Sequence, residues 1–142
     1  MKWAELSKKE RGRLLVARVM GCFVLESESA DHRVPDFPMG LAGFRWPIAF
    51  WNATIECWMI KDVAKEPRFF DPLSDLRDAW EIVTYTRTHM YTITNGRESS
   101  AMGLFIALEA FVGTDWWDII DDMTPERLCV AVLCAIGENI EA

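Results

Sequence analysis

The chain has 142 residues, 51% of them hydrophobic and 26% charged, with a formal net charge of −7. One domain of that size holds enough apolar material for a packed core, which excludes general disorder, and no apolar run approaches the roughly 20 residues needed to cross a bilayer. The charge is uneven: residues 1–70 carry 11 Lys and Arg against 9 Asp and Glu, and residues 71–142 carry 4 against 13, so the second half is a poor surface for duplex DNA.

The first helix is signalled by Ser7-Lys8-Lys9-Glu10, a capping box in which Ser7 and Glu10 satisfy each other's backbone donors. Leu15, Val19 and Cys22 form its apolar face, and Gly21 supplies a residue free to take positive φ at the end. Phe23-Val24-Leu25 can open a strand. Residues 26–47 then turn irregular, broken by Pro35, Pro38, Gly40, Gly43 and Pro47. Residues 48–60, with Ile48, Phe50, Trp51, Ile55, Trp58 and Ile60, suggest one or two further strands.

A second helix follows Asp71-Pro72-Leu73. Ser74 is its expected N-cap, and Leu76, Ala79, Trp80 and Val83 fall at the spacing of one buried stripe. Met90-Tyr91-Thr92-Ile93-Thr94 before Asn95-Gly96 reads as a strand and hairpin turn. The return limb lies within residues 101–112, where strand alternation competes with a helical reading. Thr124-Pro125-Glu126 opens a third helix, with Leu128, Ala131, Val132, Ala135 and Ile136 as its buried stripe and Gly137 as its stop. The expected class is α/β in the α+β sense: one domain over residues 1–142, with three amphipathic helices layered on a mainly antiparallel sheet and an irregular insertion at about 26–47.

Three segments resemble the phage ABA sandwich domain of tailed bacteriophages and prophages. Residues 14–22, Leu-Leu-Val-Ala-Arg-Val-Met-Gly-Cys, resemble its first helix, with Cys22 where tryptophan is usual. Residues 71–83, ending Ala79-Trp80-Glu81-Ile82-Val83, are similar to its second, and residues 124–137 to its closing helix. The resemblance implies a sheet between helical layers and a phage or prophage origin. It implies no reaction.

The chemistry-bearing residues form no recognised catalytic set. Cys129 and Cys134 stand five apart, with no Cys-x-x-Cys or His-x-x-x-His pair, and neither Gly-x-Ser-x-Gly nor a Walker loop occurs. No metal or other cofactor is expected. Four scattered cysteines and an N-terminus without an apolar signal core suggest a reduced, cytoplasmic protein.

Three binding surfaces are candidates. The insertion carries Phe37, Met39, Leu41, Phe44, Arg45 and Trp46, residue types enriched at interface hot spots. If solvated it would expose apolar surface that a partner or a second copy could cover. Arg45 with Trp46, Phe50 and Trp51, or Arg97 in the hairpin, could stack on and clamp a phosphorylated ligand such as a nucleotide, though core aromatics beside surface arginines are the simpler reading. Asp115, Trp116, Asp118, Asp121 and Asp122 form an acidic-aromatic stretch suited to a basic protein or a hard cation, though a solvated acidic face is the simpler reading. The expected function is a phage-encoded, non-enzymatic binding protein that occludes a host protein, as a counter-defence inhibitor would. A nucleotide-sequestering protein and a small hydrolase are the alternatives. No membrane partner is expected, and a homo-oligomer stays open.

Overall fold

The computed structural model describes residues 1–37, 40, 42–93 and 124–141. They form an α+β protein with three α-helices and one four-stranded, mostly antiparallel sheet. The chain divides into two compact units, Ser7–Asp71 and Met1–Leu6 with Pro72–Ala142.

The first unit begins with α1, Lys8–Leu14, closed by the capping box expected from Ser7 and Glu10. The helix then loosens into one π-turn over Leu15–Val19, where the Met20 amide donates to Leu15 O, five residues back. Gly21 takes φ 65°, and the chain leaves the helix there. Leu15, Val19 and Cys22 are buried, as their spacing predicts.

Four strands follow: β1 Phe23–Val24, β2 Ile48–Asn52, β3 Cys57–Lys61 and β4 Arg68–Phe70. They lie in chain order, with β1 parallel to β2 and the other pairs antiparallel. Residues directly opposite share a face. Phe23, Ile48, Phe50, Met59 and Phe69 therefore lie on one side, and Ala49, Trp51, Trp58, Ile60 and Phe70 on the other. All five residues of β2 are buried, so both faces of the sheet are covered there. On the second face α1 meets Trp58, whose indole Nε1 donates to Lys9 O at 2.9 Å. Gly12 makes that approach possible, since a Cβ there would fall 2.4 Å from Trp58 Cδ1. The strand β4 carries only Phe69 and Phe70 as apolar signal, too little to mark it in the sequence.

In the second unit, α2 spans Leu76–Ile93 and α3 spans Pro125–Ala135. Thr124 caps α3 by accepting from the Arg127 amide, as expected. Two expectations for α2 are corrected. Its N-cap is Asp75, not Ser74: Asp75 Oδ1 accepts from the Arg77 amide at 2.8 Å, and the Ala79 amide donates to Asp75 O. Its buried face is Ala79, Ile82, Val83 and Thr86, while Leu76 and Trp80 face outward. Against α2 lies α3, buried on more than one side: Leu128, Cys129, Val130, Ala131, Val132, Leu133 and Ile136 are all enclosed, and Ala135 only partly.

Residues 90–93 were expected to be extended and are helical. They follow a break at His89 (φ −114°, ψ 19°), and the Thr86 and Thr88 hydroxyls donate to the carbonyls of Ile82 and Thr84, four residues back, a bonding that tends to bend a helix. A helix already nucleated upstream gains a hydrogen bond for each residue added, which outweighs the modest β-propensity of Thr92 and Ile93. The hairpin at Asn95-Gly96 and the limb at 101–112 lie outside the described residues. The N-terminal residues belong to this unit: Trp3 is buried, its indole donates to Glu126 Oε1 at 2.8 Å, and Lys2 pairs with Glu141.

Two substitutions test these assignments by chemical denaturation. Gly12→Ala should destabilise the protein by about 1–3 kcal/mol although alanine is the better helix former, because the new methyl overlaps the Trp58 ring. Asp75→Ala should cost about 1 kcal/mol and Ser74→Ala much less.

Candidate functional site

The irregular segment between β1 and β2 is tied down over its polar first part, residues 26–33. Glu26 pairs with Arg13 at 2.7 Å and Glu28 with Lys9, fixing the first residues to α1. The Arg13 hydrogen bond holds the Glu26 carboxyl below its ordinary pKa. Further on, the Ser29 amide donates to Trp51 O, and Ser29 O accepts from the Ala53 amide. Buried Asn52 closes the arrangement: its Nδ2 donates to Asp31 O at 2.7 Å, and its Oδ1 accepts from the Thr54 amide at 3.0 Å. The Asp31 carboxylate accepts from the Arg33 amide at 2.8 Å. That bond, then the Ser29 hydroxyl and the Arg33 and His32 charges, lowers the Asp31 pKa.

Beyond those ties, the aromatic residues pack on the sheet. Leu25, Ile48, Phe50 and Met59 form a buried cluster, and Phe23, Val34, Phe37 and Phe44 pack over it. Phe37 stacks on Phe44 with ring centroids 5.3 Å apart, and Phe44 meets Phe23 edge-on at 5.4 Å. The expectation that this segment projects its apolar side chains toward another molecule is therefore corrected for Phe37 and Phe44. Contact with the uncovered first face of the sheet removes more apolar surface from water than a solvated loop could. Trp51 is also a packing residue, 8% exposed and edge-on to Trp58 at 5.7 Å.

What the layer leaves outside is its corner. Trp46 is 39% exposed, although its ring touches Phe44 at 5.4 Å between centroids. Lys61 Nζ sits 5.3 Å from the Trp46 ring centre, a cation–π arrangement. Exposed Arg45 is braced by its Nε donating to Gly21 O at 3.2 Å. Lys61, whose Nζ also donates to Asp62 O, thus lies over an aromatic plate supported by packed rings, and Arg45, next to Trp46 in sequence, is exposed with it. The sequence pointed to Arg45 and Trp46 but missed Lys61. Strand pairing brings it there: Lys61 stands opposite Ile48, two residues after Trp46. Arg97, Asp115, Trp116, Asp118, Asp121 and Asp122 lie outside the described residues.

The thiols and imidazoles are placed for packing. Cys129 Sγ donates to Pro72 O at 3.3 Å. Burial pushes the Cys134 thiol above its ordinary pKa, which lowers its thiolate fraction and its nucleophilicity. His89 stacks on Tyr85, with ring centroids 3.9 Å apart, and its Nδ1 lies 2.9 Å from Tyr85 O. Among the described residues no group of three His, Cys, Asp or Glu side chains is placed to hold a metal ion, and no helix is long and apolar enough to cross a membrane.

Comparison with protein-family models, with curated proteins and with solved structures finds no match.

If the aromatic layer is core, Phe44→Ala should lower unfolding free energy by about 2 kcal/mol, somewhat less than for a fully buried ring; a solvated loop residue would change it by under about 0.5 kcal/mol. The Asp31 pKa is lower folded than unfolded, so its stabilising contribution is complete above the ordinary carboxylate range. It is lost as the pH falls through the lowered folded value. The Arg33 amide resonance should follow that titration in NMR spectra, and Asp31→Asn should abolish the response.

Proposed function

We propose that this chain is a phage-encoded, non-enzymatic binding protein that works in the host cytoplasm by occluding or sequestering a host component, in the manner of a counter-defence inhibitor. The observation that carries the binding reading is the Arg45–Trp46–Lys61 corner. A large indole left 39% exposed on a packed support is costly to solvate and ready to be covered. Tryptophan and arginine together are the residue types that dominate binding energy when a partner excludes water from them. The support matters as much as the residues, because a plate already held by Phe44 and Lys61 loses little freedom on binding.

The phage origin rests on the three helical segments that resemble the ABA sandwich family. Within those segments Leu15 and Val19, Ala79 and Val83, and Leu128, Ala131 and Val132 are buried, while Trp80 is exposed. Burial at such positions is common to packed helices of any family and carries no activity.

A nucleotide-binding role for the same corner is the second reading. It is favoured by Lys61 Nζ lying 5.3 Å from the Trp46 ring centre, which places a phosphate-binding cation next to a surface that can stack on a base.

Affinity purification from infected cells, read by mass spectrometry, tests the protein-partner reading. The intact chain should enrich one host protein, and an Arg45→Glu/Trp46→Ala variant with an unchanged melting temperature should lose it. Retention of the same protein by that variant would remove the corner from the interface. A melting temperature raised by several degrees with nucleotides, and lost in the variant, would favour the second reading.

A further inference from the structure

Helix α2 carries a second surface that no packing among the described residues explains. Its inner arc, Ala79, Ile82, Val83 and Thr86, is buried. At about 100° per residue, Leu76, Trp80, Thr84 and Arg87 fall along one outward line, with Arg77 beside it. Leu76 and Trp80 are each 53% exposed, and Arg77, Thr84 and Arg87 are exposed with them. Leu76 and Trp80, four apart, form an apolar step on the surface, and an arginine stands toward each end.

Two of these residues work against the helix itself. Trp80 leaves half of a large ring in water. Arg77 sits in the first turn, where the positive end of the helix dipole disfavours a cation. The charge distribution sharpens the point. Residues 71–142 hold four basic residues against 13 acidic ones, and two of the four, Arg77 and Arg87, stand on this ridge. Among the described residues, no ion pair engages either of them. In a strongly acidic half of the chain, the cations are gathered around an exposed indole.

We infer that the outward ridge of α2 docks an acidic, apolar-anchored segment of a partner protein. Arg77 and Arg87 are ten residues apart, about 15 Å along the helix. The complementary segment carries carboxylates at that separation with an aliphatic or aromatic side chain between them, which covers Trp80 and Leu76. A helix of about three turns meets both conditions. A long polyanion such as RNA suits the ridge less well, because it would run past the two arginines into acidic surroundings. This inference rests on reading the chain as a binding protein and adds a contact surface distinct in residues from the Arg45–Trp46–Lys61 corner.

The test uses the full chain and a designed, fluorescein-labelled helical peptide with Glu near both ends and Leu at its centre, read by fluorescence anisotropy. The peptide should bind, and its Lys-for-Glu counterpart should not. Trp80→Ala and Arg77→Glu/Arg87→Glu should each weaken binding by about tenfold or more with melting temperatures unchanged, and added salt should weaken it further. Trp46→Ala should leave it unaltered. Absence of ridge-dependent binding overturns the inference. So does equal binding of the Lys peptide, tighter ridge-dependent binding of a single-stranded RNA oligomer, or concentration-dependent dimerisation in light scattering that Trp80→Ala abolishes. If the ridge variants bind the Glu peptide like wild type while the corner variant still loses its host protein, only this inference falls; the proposed function stands.

Discussion

A sheet whose central strand is apolar on both faces has to be covered twice. In the unit spanning Ser7–Asp71, the whole of β2, Ile48–Asn52, is buried, and β3 is buried over Cys57–Ile60. On one face the cover is α1, seated on Trp58 through the missing side chain of Gly12. On the other it is the segment from Leu25 to Phe44, whose described residues belong to no helix or strand but deliver Val34, Phe37 and Phe44 onto Ile48, Phe50 and Met59. The need to remove those side chains from water disciplines a segment that local sequence would leave loose.

That constraint explains why so many backbone and side-chain hydrogen bonds converge on Ser29, Asp31 and Asn52. A segment without regular structure cannot satisfy its own polar groups, so burying part of it requires partners from elsewhere. Asn52, at the end of β2, provides them to Asp31 on one side and to Thr54 and Ile55 on the other. The pairs Arg13–Glu26 and Lys9–Glu28 are exposed and add little energy, but they fix where the segment begins. With its ends set, the aromatic layer has a defined edge, and at that edge Arg45, Trp46 and Lys61 meet solvent. The candidate interaction corner is the rim of a structural layer, supported by the packed rings of Phe44 and Phe37.

The two helices of the other unit divide their work differently. The enclosed α3 is made almost wholly of apolar side chains. Among the described residues α2 is partnered on the arc that meets α3, and Trp80 and Leu76 are exposed on the other. An amphipathic pattern reports which residues are apolar, not which of two apolar arcs will be covered. Leu76-Ala79-Trp80-Val83 and Ala79-Ile82-Val83-Thr86 both satisfy helical spacing, and they overlap. Close contact with α3 favours the arc with small and branched residues, leaving the large indole outside.

Local chemistry was legible in the sequence where a short pattern has one physical outcome. The Ser7–Glu10 capping box, the Thr124-Pro125 helix start, the positive-φ stops at Gly21 and Gly137, and the α+β class all follow from such patterns. Arg45 and Trp46 were also visible as residue types suited to contact. Tertiary structure alone decided the rest. It set Phe37 and Phe44 against the core, brought Lys61 beside Trp46 through strand register, and turned Trp80 outward. Each of these outcomes depends on which surface lies opposite, and burial is a property of a pair of surfaces rather than of one stretch of chain.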